Sequence, residues 1–334
     1  MRVGIPQALL FWTYAPLWFT LLKDLGVEPF VSRATTRATL DAGVKLAVEE
    51  ACLPVKVFFG HCAELAASAE AVFVPRLVSV EPRAYICPKF MGLPDMAGRA
   101  LGRQVPLLTP LVDLRRGAGG LSAAAAEVAG ALGIRRRRAE QALACGLAVQ
   151  RAVEARWGRG CLPPVALAEL GLLPAAGGGD RGPVPGAARR RGRLGVLGHP
   201  YNVYDRQVSL DLLARLLAAG WSVETAETIP ADECEAGARE LPKELFWTMG
   251  RRVYGAAAYL MSSGAVEGLI YLASFGCGPD SLVGELVARL AERRGVPFLL
   301  LTLDEHTGEA GVWTRVEAFL DLIERREARA PRPG

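Results

Sequence analysis

Four of the seven cysteines stand one or two residues ahead of a proline: Cys52-Leu53-Pro54, Cys87-Pro88, Cys161-Leu162-Pro163 and Cys277-Gly278-Pro279. Proline pre-sets the first turn of a helix and has no N–H, so each motif predicts a helix start. A cysteine at such a start faces unpaired backbone N–H groups and the positive end of the helix. That setting favours a thiolate and suits an anionic metal cluster. A Cys-Pro pair also ends one well-known iron–sulfur binding run.

The pattern is fullest at Cys277. A predicted strand, Gly268 to Leu272, runs into Ser274-Phe275-Gly276-Cys277-Gly278-Pro279-Asp280-Ser281, and a helix follows. Gly276 and Gly278 allow a tight turn and close approach of something bulky, at the carboxyl end of a parallel strand where ligands sit in open α/β sheets. A small residue filling a turn is the plainer alternative. Cys52 and Cys87, each taken alone, read equally well as buried thiols, and no C-x-x-C spacing ties them together. Cys62 and Cys145 lie in Ala/Leu-rich helical patterns and read as core residues. Cys234 stands among Asp232, Glu233 and Glu235, where negative charge disfavours a thiolate. Cys161 sits in a loop and stays open as a fourth ligand.

Three histidines add acid–base chemistry. His61, beside Cys62 in a helix, reads as structural. His199 and His306 each follow a predicted strand end and can open onto the cleft of Cys277. His306 with Glu305 or Glu309 is a candidate for general acid–base work, and loop-fixing hydrogen bonds are the alternative. Tyr201, Asn202 and Asp205 read either as cleft lining or as loop scaffold. No phosphate loop or dinucleotide-binding glycine motif is present.

Positioning these residues takes a layered scaffold. Strands are predicted at Arg2 to Ile5, Val27 to Val31, Ala71 to Pro75 and Val105 to Thr109, with Pro29 marking an edge strand. Helical patterns fall between them: one starting near Pro16, one over Thr36 to Glu50 and one ending at Glu64 to Ala69. After Leu194 to Leu197 a second alternating series follows: helix Val208 to Ala219, strand Ser222 to Thr225, helix Lys243 to Tyr259, strand Gly268 to Leu272, helix Leu282 to Arg294, strand Pro297 to Thr302 and helix Val312 to Arg325. Such alternation predicts an α/β chain of two doubly wound (Rossmann-like) parallel-sheet domains with a helical insert between them. The expected boundaries are 1–116, an insert at 117–173 broken near Gly133, a Gly/Pro/Arg linker at 174–193, a second domain at 194–327 and a disordered tail at 328–334.

With 51% hydrophobic and 22% charged residues the chain is globular rather than disordered. A net charge of +4 does not imply nucleic acid. The clusters Arg135 to Arg138 and Arg189 to Arg193 read as solvated surface, with a phosphate or acidic-partner contact as the alternative. Residues 4–22 are apolar, but Pro6 and Pro16 interrupt them and no small-residue cleavage site follows, so a cytoplasmic, non-membrane protein is expected. Seven irregularly spaced cysteines do not suggest a secreted disulfide framework.

The stretches Glu50-Ala51-Cys52-Leu53-Pro54-Val55-Lys56, Tyr85-Ile86-Cys87-Pro88-Lys89 and Phe275-Gly276-Cys277-Gly278-Pro279-Asp280-Ser281 resemble the family of acyl-CoA dehydratase activase-related proteins. So do Gly198-His199-Pro200-Tyr201-Asn202-Val203-Tyr204-Asp205 and Asp304-Glu305-His306-Thr307-Gly308-Glu309-Ala310-Gly311. That family is similar to the cluster-carrying subunits of 2-hydroxyacyl-CoA dehydratases. The resemblance implies a [4Fe–4S] cluster on Cys52, Cys87 and Cys277, with Gly276, Gly278, Pro279, Asp280, Ser281, Tyr201 and Asn202 around it. It further implies a separate ATP-dependent activase of actin-like fold as electron donor for a reductive or radical step. A three-cysteine site leaves one side open, where a like or unlike subunit can pack. The alternatives are an electron carrier or cluster scaffold without a substrate, a structural zinc protein using Cys161 as fourth thiolate, and a cofactor-free binding module.

Overall fold

The computed structural model describes residues 1–102, 104–115, 117, 119–174 and 191–329. The first half runs β1 (Arg2–Ile5), α1 (Phe11–Asp24), β2 (Glu28–Val31), α2 (Arg37–Leu46), α3 (Leu53–Ala66) and β3 (Ala71–Phe73). It continues through β4 (Arg76–Ser79), α4 (Pro88–Leu101), β5 (Leu107–Leu108) and β6 (Leu111–Asp113). Three helices follow: α5 (Gly119–Ala131), α6 (Arg136–Trp157) and α7 (Pro163–Glu169). The second half opens with β7 (Gly192–Gly198), α8 (Pro200–Val203), α9 (Leu212–Ala218) and β8 (Trp221–Glu224). Then come α10 (Ala231–Ala238), α11 (Thr248–Ser262), β9 (Gly268–Ser274), α12 (Gly278–Arg294), β10 (Phe298–Leu303) and α13 (Glu309–Arg329).

Two four-stranded parallel sheets result, ordered β2-β1-β3-β5 and β10-β9-β7-β8. Numbered within each sheet, both orders are 2-1-3-4, so the chain uses one winding twice. The mixed α/β class with parallel sheets is the one the alternating sequence predicts. Pro29 lies in edge strand β2, where a missing N–H costs no ladder bond. Pro75 and Pro110 break two strands of the first sheet. Beyond them β4 and β6 pair again as a short parallel ribbon, joined to the sheet by Val74 N–H to Leu108 O (2.8 Å) and Arg76 N–H to Pro110 O (2.9 Å).

The first helix departs from expectation. It starts at Phe11 and carries Pro16 inside it. An internal proline disrupts the helical ladder one turn back, which ordinarily ends or kinks the helix. Here Gln150 of α6 inserts into the break. Its Oε1 accepts from the Leu17 N–H (3.2 Å) and its Nε2 donates to the Thr13 carbonyl (2.8 Å). Those two groups would otherwise bond each other. A side chain 133 residues away therefore mends the helix and docks α6 on it.

Other differences are smaller. The segment 36–50 forms helix only to Leu46, with Thr36 as a capping box. The helices α4 and α7 start at the prolines of the Cys87 and Cys161 motifs, α8 and α10 stand where no helix is expected, and α9 begins at Leu212 rather than Val208. Residues 192–193 belong to β7 and 328–329 to α13. The rest of the expected linker past Pro174, except Arg191, and the tail from Ala330 lie outside the described residues. Arg136 pairs with Glu140 and Arg138 donates to the Asp24 carbonyl (2.8 Å), so this cluster is surface structure. Among the described residues no helix is long and apolar enough to cross a membrane.

Close packing of α2 on α3 fixes where the latter begins. A Cβ at Gly60 would stand 1.9 Å from the Thr39 carbonyl oxygen, so only glycine permits this crossing.

Gln150→Leu keeps much of the side-chain volume but strips both backbone groups of their partner. At about 1–3 kcal/mol per unsatisfied group, urea unfolding should show a loss of about 2–4 kcal/mol. An unchanged midpoint would mean that α1 closes its own ladder without α6.

Candidate functional site

Cys52, Cys87 and Cys277 are the N-cap residues of α3, α4 and α12, each with proline in the first turn. The helix-start part of the proline-based reading holds for these three, but its expectation of a favoured thiolate does not hold for Cys52 and Cys87, where burial outweighs the helix end. Cys161 differs, because Leu162 is the N-cap of α7. The three N-caps converge from distant parts of the sequence. Burial pushes the Cys52 thiol up to about 11, with Lys89 opposing and Cys277 and Cys87 adding to the rise. Cys87 is raised as well, again by burial first, with its hydrogen bond to the Lys89 backbone opposing and Cys277 adding. Thiols that act on one another in this way share one site.

Backbone geometry explains the meeting. Gly276 adopts φ +74°, a left-handed turn that glycine takes without strain, and lies against the Glu50 carbonyl beside Cys52. The Lys89 ammonium donates to that same carbonyl (3.1 Å), tying the first turn of α4 to the approach of α3. Ser281 closes the Cys277 turn from the helix side, its Oγ donating to the Cys277 carbonyl (2.9 Å). Pro279 occupies the first turn of α12, and Gly278 faces open space.

Behind Cys277 stands a fully buried carboxylate. Asp280 accepts from the Tyr271 hydroxyl (2.9 Å), the Asn202 amide (3.1 Å) and the Ser274 N–H (3.4 Å), with His199 Nδ1 at 3.4 Å. Asn202 is itself pinned, donating to the Leu272 carbonyl and accepting from Ser274 Oγ (2.7 Å). Burial works against charge on His199, but Asp280 and then Cys277 outweigh it and hold the imidazole well above its ordinary range. Ligand atoms of His199, Cys277 and Asp280 lie within 4.8 Å of one another. The Tyr201 hydroxyl reaches His199 Nδ1 (3.0 Å), and its ring packs on Phe90. Burial, then Cys277, Asp280, Cys52 and Cys87, raise the Tyr201 hydroxyl far above its ordinary value. All three thiols are therefore near enough to act on this hydroxyl.

His199 and Cys277 both stand at the ends of central strands β7 and β9, where the strand order of the second sheet reverses. His306 follows edge strand β10, and its side chain is 84% exposed. Glu305 Oε1 pairs with the buried Lys56 and also lies 3.9 Å from His306 Nε2. Burial works against the Glu305 charge, but the Lys56 hydrogen bond outweighs it and holds the carboxyl below its usual range. Glu309 pairs with Arg215. The structure thus brings His199, and not His306 with Glu305, to the cysteines. Asp205 bonds Thr35 and two backbone N–H groups, a scaffold role.

The remaining cysteines divide as follows. Cys62 is fully buried, whereas Cys145, expected in the core, is exposed because α6 buries the opposite face. Burial pushes Cys234 up to about 11, its acidic neighbours adding to the shift. Cys161 lies against Arg156 (3.7 Å) between α6 and α7. His61 is buried, bonded to Ser32 and Thr35 (2.9 Å each), and burial lowers it to about 4. Lys89 and Tyr271 were not expected at the site. A lysine two residues after the Cys87 motif's cysteine was the one available signal; a tyrosine in an apolar strand gave none.

Residues 2–229 match the family described as CoA enzyme activase uncharacterised domain. The chain belongs to this family. The match covers Cys52, Cys87, His199, Tyr201 and Asn202, while Cys277 and Asp280 lie beyond it. Among curated proteins no match is found. Membership of this CoA enzyme activase domain family agrees with the activase-related resemblance of the sequence.

The His199–Asp280 pair has a definite pH sign. A histidine raised on folding contributes its full stabilisation below about pH 6.5 and loses it as pH rises through the folded value. In imidazole NMR spectra His199 is expected to stay doubly protonated beyond the ordinary histidine range, and Asp280→Asn to lower its titration. A His199 signal that titrates alike in both proteins would remove Asp280 as its charge partner.

Proposed function

We propose that Cys52, Cys87 and Cys277 hold a [4Fe–4S] cluster through which this chain accepts electrons from an ATP-dependent activase. The observation that carries the reading is the meeting of three N-cap thiols at one buried site. The donor set fits the group. Thiolates are the ligands iron–sulfur clusters take, and three helix N-termini direct partial positive charge at an anionic centre. Lys89 and the raised imidazole of His199 add positive charge. Burial keeps the free Cys52 and Cys87 thiols protonated, so metal binding there releases protons.

When bound, such a cluster supplies one-electron chemistry for a reductive or radical step. The chain's own residues do the rest. Asp280 orients His199 beside Cys277, where the imidazole holds a proton. Tyr201 and Phe90 wall the site against water. In this reading, ATP hydrolysis resides in the partner activase, with this chain as the electron acceptor. The cytoplasmic location and the partner subunit belong to the same proposal.

A mononuclear metal ion on His199, Cys277 and Asp280 is the second reading, favoured by their mutual spacing. Cys161 does not favour a zinc reading, since Arg156 is its neighbour.

Iron and acid-labile sulfide are to be measured on anaerobically purified protein. About four irons and four sulfides per chain are expected, with a visible absorption lost in Cys277→Ala. One metal without sulfide, lost in His199→Ala but kept in Cys52→Ala, would establish the second reading. Absence of metal after anaerobic reconstitution would sink both.

A further inference from the structure

A cavity of about 190 Å³ lies between the two halves of the chain, at the carboxyl ends of β1 and β2. Gln7 and Thr35 line it from the first half, Asp205 and Ser209 from the second, and Pro164 of α7 closes one side. Small ligands settle between domains and above strand ends in α/β folds. The space holds about six waters at ~30 Å³ each, enough for a molecule of similar heavy-atom count.

Two buried polar side chains face this space without a protein partner. Gln7 is 6% exposed and Ser209 3%. Their backbone N–H groups are engaged, Gln7 with Ser32 Oγ (2.8 Å) and Ser209 with the Asp205 carbonyl (2.8 Å). The Gln7 carboxamide and the Ser209 hydroxyl bond no group among the described residues. Neither is sealed in as Trp12 Nε1 is: each keeps accessible area, and the cavity is what it opens onto.

The third polar group is the Asp205 carboxylate. Thr35 Oγ1 donates to its Oδ2, and the Gln207 and Val208 N–H groups donate to its Oδ1 (3.0 and 3.1 Å). The one Thr35 hydroxyl proton goes to Asp205, so Thr35 accepts from His61 Nε2, and His61 Nδ1 accepts from Ser32 (2.9 Å each). This chain of donors runs toward Asp205 and leaves one acceptor position on its Oδ2. Burial raises the carboxyl to about 6, and no cation is among the groups that act on it. Arg206 and Asp211, the other charged residues of the lining, pair with each other. A larger cavity of about 360 Å³ adjoins the cysteine site beside Ile86 and Pro200, but there Arg251 and Arg252 already stand among four carboxylates.

A buried carboxylate without a counter-charge calls for a cationic donor. A primary ammonium has three donors, and Asp205, Gln7 Oε1 and Ser209 Oγ offer it three acceptors. Apolar wall from Trp12, Val203, Leu213 and Ala214 is left for a short hydrocarbon body, which a bare ion would not cover. We propose that this cavity binds a small primary alkylammonium, its nitrogen held by Asp205, Gln7 and Ser209 and its carbon chain against that wall. The site shares no residue with the cysteine site, so the inference goes beyond the cluster reading and stands apart from it.

The test is calorimetric titration of the full chain with 3-methylbutylamine, 3-methylbutanol, 3-methylbutanoate and potassium chloride, with metal content measured in parallel. At pH 7 the amine is expected to saturate and the other three to bind more weakly. Gln7→Leu and Ser209→Ala should each weaken the amine roughly three- to tenfold, the loss of one hydrogen bond, and Asp205→Asn by more than about tenfold. Lowering the pH from 7 to 5 protonates Asp205 and should cost about tenfold in affinity. His61, lowered by burial to about 4, stays neutral over that interval. Unfolding midpoints check the variants, and if Asp205→Asn does not fold the other two decide. The proposal fails if the amine does not saturate or if any of the other three compounds binds as tightly. It fails equally if the folded variants leave the amine's affinity unchanged.

Discussion

The Asp280 carboxylate is the constraint on which the second half of the site depends. A fully buried carboxylate is costly unless every lone pair finds a donor. Asp280 meets that demand by drawing donors from four places: Tyr271 inside β9, Ser274 at its end, Asn202 in α8 and His199 before it. Meeting it fixes the start of α12, the exit of β9 and the exit of β7 together. Cys277 and His199 are the residues at those exits. Their spacing is a consequence of solvating one buried charge.

The first half contributes Cys52 and Cys87, and it is locked to the second by polar contacts in otherwise apolar surroundings. Lys56, 4% exposed, pairs with Glu305 across 249 residues. Thr35 bridges His61 and Asp205, whose carboxyl burial raises to about 6. Tyr85 exchanges backbone bonds with the segment before α11, to Phe246 O (2.7 Å) and from the Thr248 N–H (3.1 Å), two residues ahead of Cys87. Apolar packing alone tolerates sliding, and a buried ion pair adds little net stability over a well-packed apolar pair. We read these contacts as setting register. They hold two sheets of the same winding at the one offset that lets three helix N-termini meet.

The sequence carried the local part of this arrangement and not the long-range part. A proline one or two residues after a cysteine is a local signal with a local cause, and it located three N-caps correctly. The same logic misplaced the start of α1, because Pro16 normally begins a helix and only Gln150, far along the chain, lets one run through it. His199 and His306 look alike in sequence, each following a strand. One ends a central strand beside a buried carboxylate, the other an edge strand in solvent, and strand order is not written in either motif. Asp280 was legible as a neighbour of Cys277. Its role as the hub was not, since three of its four donors belong to motifs read separately. The acidic run around Cys234 obscured α10, because only Cys234, Gly237 and Ala238 form its buried stripe and small residues carry little apolar signal.

Two fields of opposite sign stand almost back to back. The cysteine site is faced by three positive helix ends, Lys89 and His199, while the adjoining cavity is lined by four carboxylates. Such contrast over so short a span requires a wall of low polarisability, because water between them would screen both. Extended backbone provides it. Cys87 and His199 have extended dihedrals (ψ 136° and 145°), so neighbouring side chains leave on different sides. Ile86 and Pro200 turn to the cavity, Cys87 and His199 to the thiols, and the rings of Phe90 and Tyr201 fill in behind. An anion is thus drawn to one side of the wall and kept from the other.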